Sequence, residues 1–446
     1  MLKIYIFKNF LYNIIIYKTM ERTLISEVSQ NINKEVLIQG RVINLRKMGG
    51  ISFALVQDYS GAIQTVWEKG AETKMGDAVE IVGSVRQDER AKGGYEIVGK
   101  EIKVVATSIE EYPFDLSKSI LHLQLNTLLD RRVLSLRHPS VQAIFKLYDI
   151  LLKAYEQVMR QEGFTEIKTP KLLEAASEGG ANFFKIQYFD KSAYLAQSPQ
   201  FYKQIMVGVF ERVFEIGSVF RAEPHFTTRH VNEFISLDAE MGFIESFRDV
   251  TAMLTNVLRK IFEMLDEEGA QHLKLHDAKI SKVPEEIPHL KLAEIKEIIA
   301  KKYKYNVSED TDIDPEGERL ASQYAKEEFD SDFIFITHYP WKFRPFYTMP
   351  SRENPEETYG FDLIFKGTEL VTGSQRIHMY EELIANMKKR GIKSDNLEFY
   401  LEVFKFAMPP HGGWGMGSER LIQQVLGLKN VKEAVLFPRD LKRLSP

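Results

Sequence analysis

Two alternating stretches, Glu215 to Glu223 and Phe234 to Glu240, flank a charged loop and restrict this part of the chain to a strand, loop and strand. Strand side chains point to opposite faces in turn. Glu215, Gly217, Val219, Arg221 and Glu223 should therefore share one face, as should Phe234, Ser236, Asp238 and Glu240 after the loop. The segment Phe220 to Met241, FRAEPHFTTRHVNEFISLDAEM, concentrates arginine, histidine and carboxylate side chains on such a hairpin. That set suits a polyphosphate, its metal ions and a flat base, because arginine meets phosphate oxygens through two parallel hydrogen bonds. A solvated face of an antiparallel sheet alternates in the same way, so the hairpin alone leaves both readings open.

A distant segment bears on that choice. Gly412 to Arg420, GGWGMGSER, runs into the apolar helical pattern Leu421 to Leu428. We read it as a glycine-rich loop that lets backbone approach a ligand, with Arg420 at the start of the helix. It is neither a dinucleotide fingerprint nor a GxxxxGK phosphate loop, and a close helix-to-sheet contact would also explain the glycines.

FRAE, RHVNE and GMGSER, in this order, resemble motifs 2 and 3 of the class II aminoacyl-tRNA synthetases. Motif 1 would be Val141 to Pro170, a long amphipathic helix followed by GFTEIKTP. Within that class the chain resembles the aspartyl-tRNA synthetases of the archaeal and eukaryotic type. The likeness is carried by EGGANFF from Glu178, YLAQSPQFYKQ from Tyr194, FRAEPHFTTRHVNE, TGSQRIH from Thr372, PPHGGWGMGSER and LFPRDLKRLSP, and it spans residues 20–446. Ser374, Met379 and Ser418 depart from the usual pattern without removing a proposed ligand.

The resemblance implies an α+β catalytic domain with a mostly antiparallel sheet flanked by helices. It also implies residue roles. Arg221 would hold the α-phosphate of ATP, and His230 the terminal phosphates, with Arg229 and Gly417 in the same site. Phe234 would stack adenine against Arg420, and Glu223 would read the adenine amino group. Glu369 and Thr372 would place Mg²⁺, a hard ion suited to oxygen ligands. Residues three apart on a strand face opposite ways, so this last pair requires a bulge or a strand end. For L-aspartate, Lys203 and Arg376 would meet the side-chain carboxylate and Asp238 the α-amino group. Ser177, Glu178, Gln200 and Thr372 would complete that pocket. A lysine is ordinarily solvated; the setting of Lys203 in QSPQFYKQ is what argues otherwise.

From Val36 to about Thr107 the chain turns to five short alternating strands separated by Gly and Asp-Tyr-Ser-Gly turns, which suggests a five-stranded barrel of the OB type. Such a barrel resembles the anticodon-binding domain of the same family. There Phe53 would stack on an anticodon base, Gln64 would hydrogen-bond the middle uracil and Arg46 would add a basic contact. The bland reading of Phe53 is a barrel core residue.

The expected organisation is an N-terminal extension over 1–19, the barrel over 20–109, a connecting region over 110–138, and a catalytic domain over 139–446 with a charged helical insertion around 254–328. The extension is apolar but broken by Lys3, Lys8 and Lys18, well short of the ~20 residues that span a bilayer, and it has no small-residue cleavage site. We expect it to be a misassigned start or a dispensable extension, and no membrane partner. With 446 residues, 44% of them hydrophobic, the chain has mass for more than one core. Absent cysteine excludes disulfides and thiolate zinc sites and fits a reducing cytoplasm. A net charge of −4 excludes a general polyanion binder, so contact with tRNA must come from local basic patches and shape.

The partners implied are ATP, L-aspartate, tRNA(Asp) and also tRNA(Asn), with a homodimer built on motif 1. The rival readings are an asparaginyl-tRNA synthetase, which lacks the lysine after its SPQ, a non-catalytic RNA-binding paralogue, and an asparagine synthetase of related fold.

Overall fold

The computed structural model describes residues 20–445 except 92, 117, 119, 175–182, 225–226, 309–311 and 395–396. The expectations for residues 1–19 and for Ser177 and Glu178 thus lie outside the described residues. The chain forms two compact units, Met1–Leu121 and His122–Pro446.

In the first unit β1 (Glu35–Met48), β2 (Ile51–Gln57), β3 (Ala62–Trp67), β4 (Ala78–Gln87) and β5 (Tyr95–Ala106) close into a barrel of order β1-β2-β3-β5-β4. Closure depends on the length of β1, whose first half pairs with β4 and whose second half pairs with β2. An irregularity between Val42 and Asn44 marks the turn from one partner to the other. Gly40 sits at that crossing, where a Cβ would lie 2.5 Å from the Gln57 carbonyl oxygen. Ile38, Val42, Ala54, Val56, Ile81 and Ile97 fill the interior. Phe53 alternates with buried Ser52 and Ala54, is only partly buried, and is absent from that core. It faces outward.

The second unit is built on an eight-stranded sheet of order β12-β13-β14-β15-β16-β11-β10-β6. Its strands are β6 (Thr165–Glu166), β10 (Arg212–Phe220), β11 (Glu233–Gly242), β12 (His289–Lys291), β13 (Phe333–Thr337), β14 (Gly360–Phe365), β15 (Thr368–Gln375) and β16 (His411–Gly417). All pairings are antiparallel except the outermost, β12 with β13 and β6 with β10. A small sheet of β7 (Leu172–Leu173), β8 (Lys185–Tyr188) and β9 (Lys191–Leu195) stands beside it.

Two short helices, α1 (Leu125–Asp130) and α2 (Arg132–Ser135), precede α3 (Pro139–Gln161). Helix α3 starts where Pro139 takes the first helical position and the His138 side chain accepts from the Ser140 N–H. Helix α5 (Phe247–Lys274) starts at a Ser246/Asp249 capping box; α4, α6, α7, α8, α9 and α10 are Gln200–Phe210, Leu292–Tyr303, Pro315–Phe329, Tyr380–Lys389, Glu398–Phe404 and Ser418–Leu426. Leu147, Leu151 and Ala154 of α3 meet Leu254, Leu258 and Ile261 of α5 in one core under Phe214, Leu237, Trp414 and Met416 of the sheet. Each fully buried leucine or isoleucine there contributes about 1.5–3 kcal/mol.

Within residues 254–328, α5 carries fully buried Leu254, Val257, Leu258 and Ile261 into the main core, and β12 extends the main sheet. Most charged side chains of this segment are exposed, but Glu318 is buried. One expectation is corrected: Gly412 to Gly417 is not a loop. It is β16, a central strand between β15 and β11, because the period-two sequence Gly413, Trp414, Gly415, Met416, Gly417 puts large residues into the core and glycines on the other face.

Candidate active site

Gly415 and Gly417 of that face line the floor of a cavity. Gly413, Gly415 and Gly417 pair with Glu240, Asp238 and Ser236 of β11, so floor glycines stand beside wall carboxylates. A Cβ on Gly413 would fall 2.4 Å from a Glu240 carboxylate oxygen, and one on Gly415 would fall 3.2 Å from an Asp238 oxygen. At Gly413 a Cβ would also fall 2.1 Å from the Ala239 carbonyl oxygen, so glycine there is required by the close approach of the neighbouring strand and its carboxylate rather than by backbone dihedrals.

The cavity brings together Gln200, Lys203, Arg221, Glu223, Arg229, His230, Phe234, Asp238, Glu369, Thr372, Arg376, Gly417 and Arg420. Every described candidate outside the barrel is therefore at one place. The guanidinium groups of Arg221, Arg376 and Arg420 share it. Strand β10 ends at Phe220, so Arg221 and Glu223 lie just past the regular strand, although the Arg221 N–H still bonds the Asn232 carbonyl at 2.9 Å.

Glu369 and Thr372 reach the cavity through a bulge. Leu363 pairs with Val371 and the next residue, Ile364, with Glu369. Leu370 is the extra residue. It joins Val371 on the core side and leaves Glu369 and Thr372 both on the cavity side.

One bonded group contains the buried cations. Lys203, 2% exposed, donates to Asp238 Oδ1 at 2.9 Å and the Trp414 carbonyl at 2.8 Å, with Glu240 Oε2 at 3.6 Å. Arg376 donates from Nε to Glu240 Oε1 at 2.8 Å, and from Nη1 to Ser374 Oγ at 2.6 Å. Burial alone would push the Glu240 carboxyl up, but Arg376 and then Lys203 outweigh it and hold it below the usual range.

A second group contains the other arginines. Arg229 pairs with Glu318 of α7, whose Oε2 also accepts the Glu369 N–H at 2.8 Å. Arg420 donates to the Glu369 carbonyl at 2.5 Å and lies 3.7 Å from its carboxylate. Arg221 lies over the Phe234 ring at 5.4 Å from its centroid. His230 bonds Thr227 Oγ1 through Nδ1 at 2.6 Å and faces Glu223 at 3.4 Å. Burial lowers its pKa, Glu223 opposes this, and Arg420, Arg229 and Arg221 lower it further.

The Glu369 carboxyl is pushed up to about 7, first by desolvation, then by Asp362 and, against Arg420, by Glu318. A divalent cation at Glu369 would favour its ionised carboxylate and offset the neighbouring Asp362 and Glu318. Among the described residues no three His, Asp or Glu side chains converge as a ready-made cage. That donor set fits Mg²⁺, which binds through one or two carboxylates and substrate phosphates.

Three participants escaped sequence reasoning. Arg344 donates to Asp362 at 2.6 and 3.0 Å and to Thr372 Oγ1 at 2.9 Å, over the Tyr339 ring. Glu318 lay in the segment taken as an insertion. Glu419, 4% exposed, accepts from the Ile235 N–H at 3.0 Å and the Tyr148 hydroxyl at 3.2 Å. Only the position of Glu419 beside Arg420 offered a signal.

In the barrel, Arg46 pairs directly with Phe53, and Leu55 with Gln64. Direct partners and residues two apart share a face, so Arg46, Phe53 and Gln64 stand together on the outside. Gln64 Nε2 donates to Glu96 Oε2 at 3.0 Å, and Arg86 pairs with the same carboxylate.

Residues 124–441 match the family described as tRNA synthetases class II (D, K and N), and residues 36–105 match the OB-fold nucleic acid binding domain. The chain is a class II aminoacyl-tRNA synthetase. The synthetase is 43% identical over 432 residues to the aspartate-tRNA(Asp/Asn) ligase of Aeropyrum pernix, covering 93% of this chain and 97% of that protein. It is 36% identical to the aspartate-tRNA(Asp) ligase of Pyrococcus abyssi, covering 94% and 98%. Among solved structures, asparaginyl-tRNA synthetase from Pyrococcus horikoshii with asparaginyl-adenylate matches with TM-score 0.89 and 29% identity, over 96% of this chain and 100% of that one. Among the described residues no helix is long and apolar enough to cross a membrane.

One consequence concerns stability of the synthetase. Burial pushes the Glu419 carboxyl up to about 7 despite the hydrogen bonds it accepts. An unfolded glutamate titrates near ~4.3, so between these values the folded state binds more protons and loses stability as pH rises. Glu419→Gln is expected to melt above the parent, by a margin that grows up to about pH 7 and is flat beyond it. Thermal scans across pH check this, and a margin independent of pH would contradict it.

Proposed function

We infer that the chain activates L-aspartate with ATP and transfers it to the 3′ end of tRNA(Asp), as an aspartate-tRNA ligase. The observation that carries this reading is the buried pair Lys203 and Arg376 in the same cavity as Arg221, Arg229 and Arg420. A side-chain carboxylate needs buried cations. An asparagine amide does not.

In the first step the aspartate α-carboxylate attacks the α-phosphorus in line and pyrophosphate leaves. In the second the terminal ribose hydroxyl of tRNA attacks the adenylate carbonyl and AMP leaves. Neither step requires a side-chain nucleophile, so positioning and charge neutralisation supply the acceleration. Arg221 would grip the α-phosphate and Arg229 and His230 the terminal ones. Phe234 and Arg420 would sandwich adenine, and Glu223 would accept from its amino group. Lys203 and Arg376 would receive the aspartate side chain, with Asp238 and Gln200 toward its ammonium. Glu369 and Thr372 would hold Mg²⁺, which supplies charge neutralisation on the phosphates.

On the barrel, Phe53 would stack on an anticodon base beside Gln64 and Arg46. Phe53→Ala is expected to raise KM for tRNA by about 5- to 150-fold, since one base-on-aromatic stack is worth ~1–3 kcal/mol. Pyrophosphate exchange should be unchanged, and an equal loss in both assays would contradict the assignment. A homodimer built on the motif 1 stretch and a cytoplasmic site of action complete the proposal.

The asparaginyl reading draws support from the Pyrococcus horikoshii likeness. Pyrophosphate exchange with aspartate and with asparagine, followed by charging of purified tRNA(Asp) and tRNA(Asn), tests both readings. Asparagine-dependent exchange exceeding that with aspartate would overturn ours. Charging of tRNA(Asn) with aspartate would assign the broader acceptor range named for the Aeropyrum pernix relative.

A further inference from the structure

Behind Gln200 lies a chain of buried polar groups that the reaction as derived does not use. Gln200 and Gln204 lie four apart on one face of α4, and Gln200 Nε2 donates to Gln204 Oε1 at 3.0 Å. The Tyr400 hydroxyl of α9 donates to the same oxygen at 3.2 Å. Gln204 Nε2 meets His411 Nε2 at 2.9 Å, and His411 Nδ1 meets the Pro409 carbonyl oxygen at 2.9 Å. Gln204, Tyr400 and His411 are 0% exposed and Gln200 is 4% exposed, so water cannot substitute for a misdirected bond.

The direction of every bond follows from its far end. The Pro409 carbonyl can only accept, so His411 must carry its proton on Nδ1. Its Nε2 is then bare and can only accept, which turns the Gln204 amide nitrogen toward it. Gln204 thereby offers its oxygen to Gln200 and Tyr400. Gln200 must answer with its nitrogen, and its amide carbonyl is left for the cavity it lines. Burial lowers the His411 pKa to about 4, with Glu240 acting in the opposite sense, in keeping with a neutral ring.

We propose that His411, Gln204 and Tyr400 form a positioning relay that fixes the amide of Gln200 with its oxygen toward the amino acid, so that the site accepts a hydrogen bond from the substrate ammonium. Reversal of any link would present an NH₂ group to a cation. The relay rests on the amino-acid site proposed above and adds to it a determinant of selection for the α-ammonium group.

The test compares aspartate with succinate, which keeps both carboxylates and lacks the ammonium. In the wild-type synthetase KM for aspartate should lie well below the inhibition constant for succinate. His411→Phe and Gln204→Met should each raise KM for aspartate about tenfold or more, the worth of one hydrogen bond to a charged group. Succinate inhibition and KM for ATP should be little changed. Because both variants break one chain, the double variant should be no worse than the more damaging single one. Additive losses, or an unchanged preference for aspartate over succinate, would overturn the relay. Should His411→Phe fail to fold, Tyr400→Phe with Gln204→Met supplies the same cycle. If the wild type activates asparagine instead, the ligase reading fails, and the same variants are scored with asparagine against succinamate, so the relay is still decided.

Discussion

Lys203→Leu is expected to cut aspartate-dependent pyrophosphate exchange by roughly 10²- to 5 × 10³-fold, the kinetic equivalent of the about 3–5 kcal/mol lost when one partner of a buried ion pair is removed. The lysine is buried between Asp238 and Glu240. Leucine fills much of the volume but leaves Asp238 facing the site without its cation. The substrate carboxylate would then enter a cavity with one positive group fewer and one uncompensated negative group more. The loss should fall on KM for aspartate, and KM for ATP should hold. Near-parental exchange in a variant with a parental melting temperature would refute the role given to Lys203.

Arg221→Ala is expected to lower kcat for the same exchange by about 10²- to 10³-fold, the usual effect of deleting one donor aimed at developing charge. Arg221 Nε is buried with no hydrogen-bond partner among the described residues. An unpaired buried donor on a guanidinium is costly unless an anion completes it, and ATP is the anion the family implies. KM for aspartate should move little, because Lys203 and Arg376 belong to the other bonded group. A variant that loses aspartate affinity but keeps kcat would refute the division of labour between these cations.

Legibility differed between residues for physical reasons. Phe234, Ser236 and Asp238 could be placed on one face because alternation is a local property of extended backbone. The bulge at Leu370 could be required in advance, since Glu369 and Thr372 cannot otherwise share a side. Lys203 was readable only through its setting in QSPQFYKQ, as nothing in a helical lysine announces burial. Arg344 and Glu318 were not readable at all. Their partners, Asp362 and Arg229, are 18 and 89 residues away, and a charged residue on a helix, like Glu318, or in a connecting segment, like Arg344, looks like solvated surface until its neighbour is known.

Glycine at Gly412 to Gly417 misled in an instructive way. Glycine is rare inside strands because it has no side chain to contribute, so a loop was the economical reading. The strand exists because Trp414 and Met416 anchor it in the core while the glycines make room for Asp238 and Glu240.

The sequence by itself determined the family, the five-stranded barrel and most of the side chains that meet in the cavity, because period-two patterning and short motifs are written along the chain. Only the tertiary structure decided that β16 lies between β15 and β11, that Lys203 and Arg376 are paired with Asp238 and Glu240, and that Gln200 is backed by Gln204 and His411. Those choices are made by strand order and by contacts between residues far apart in sequence, where the cost of an unpaired buried charge selects one arrangement and local pattern has no say.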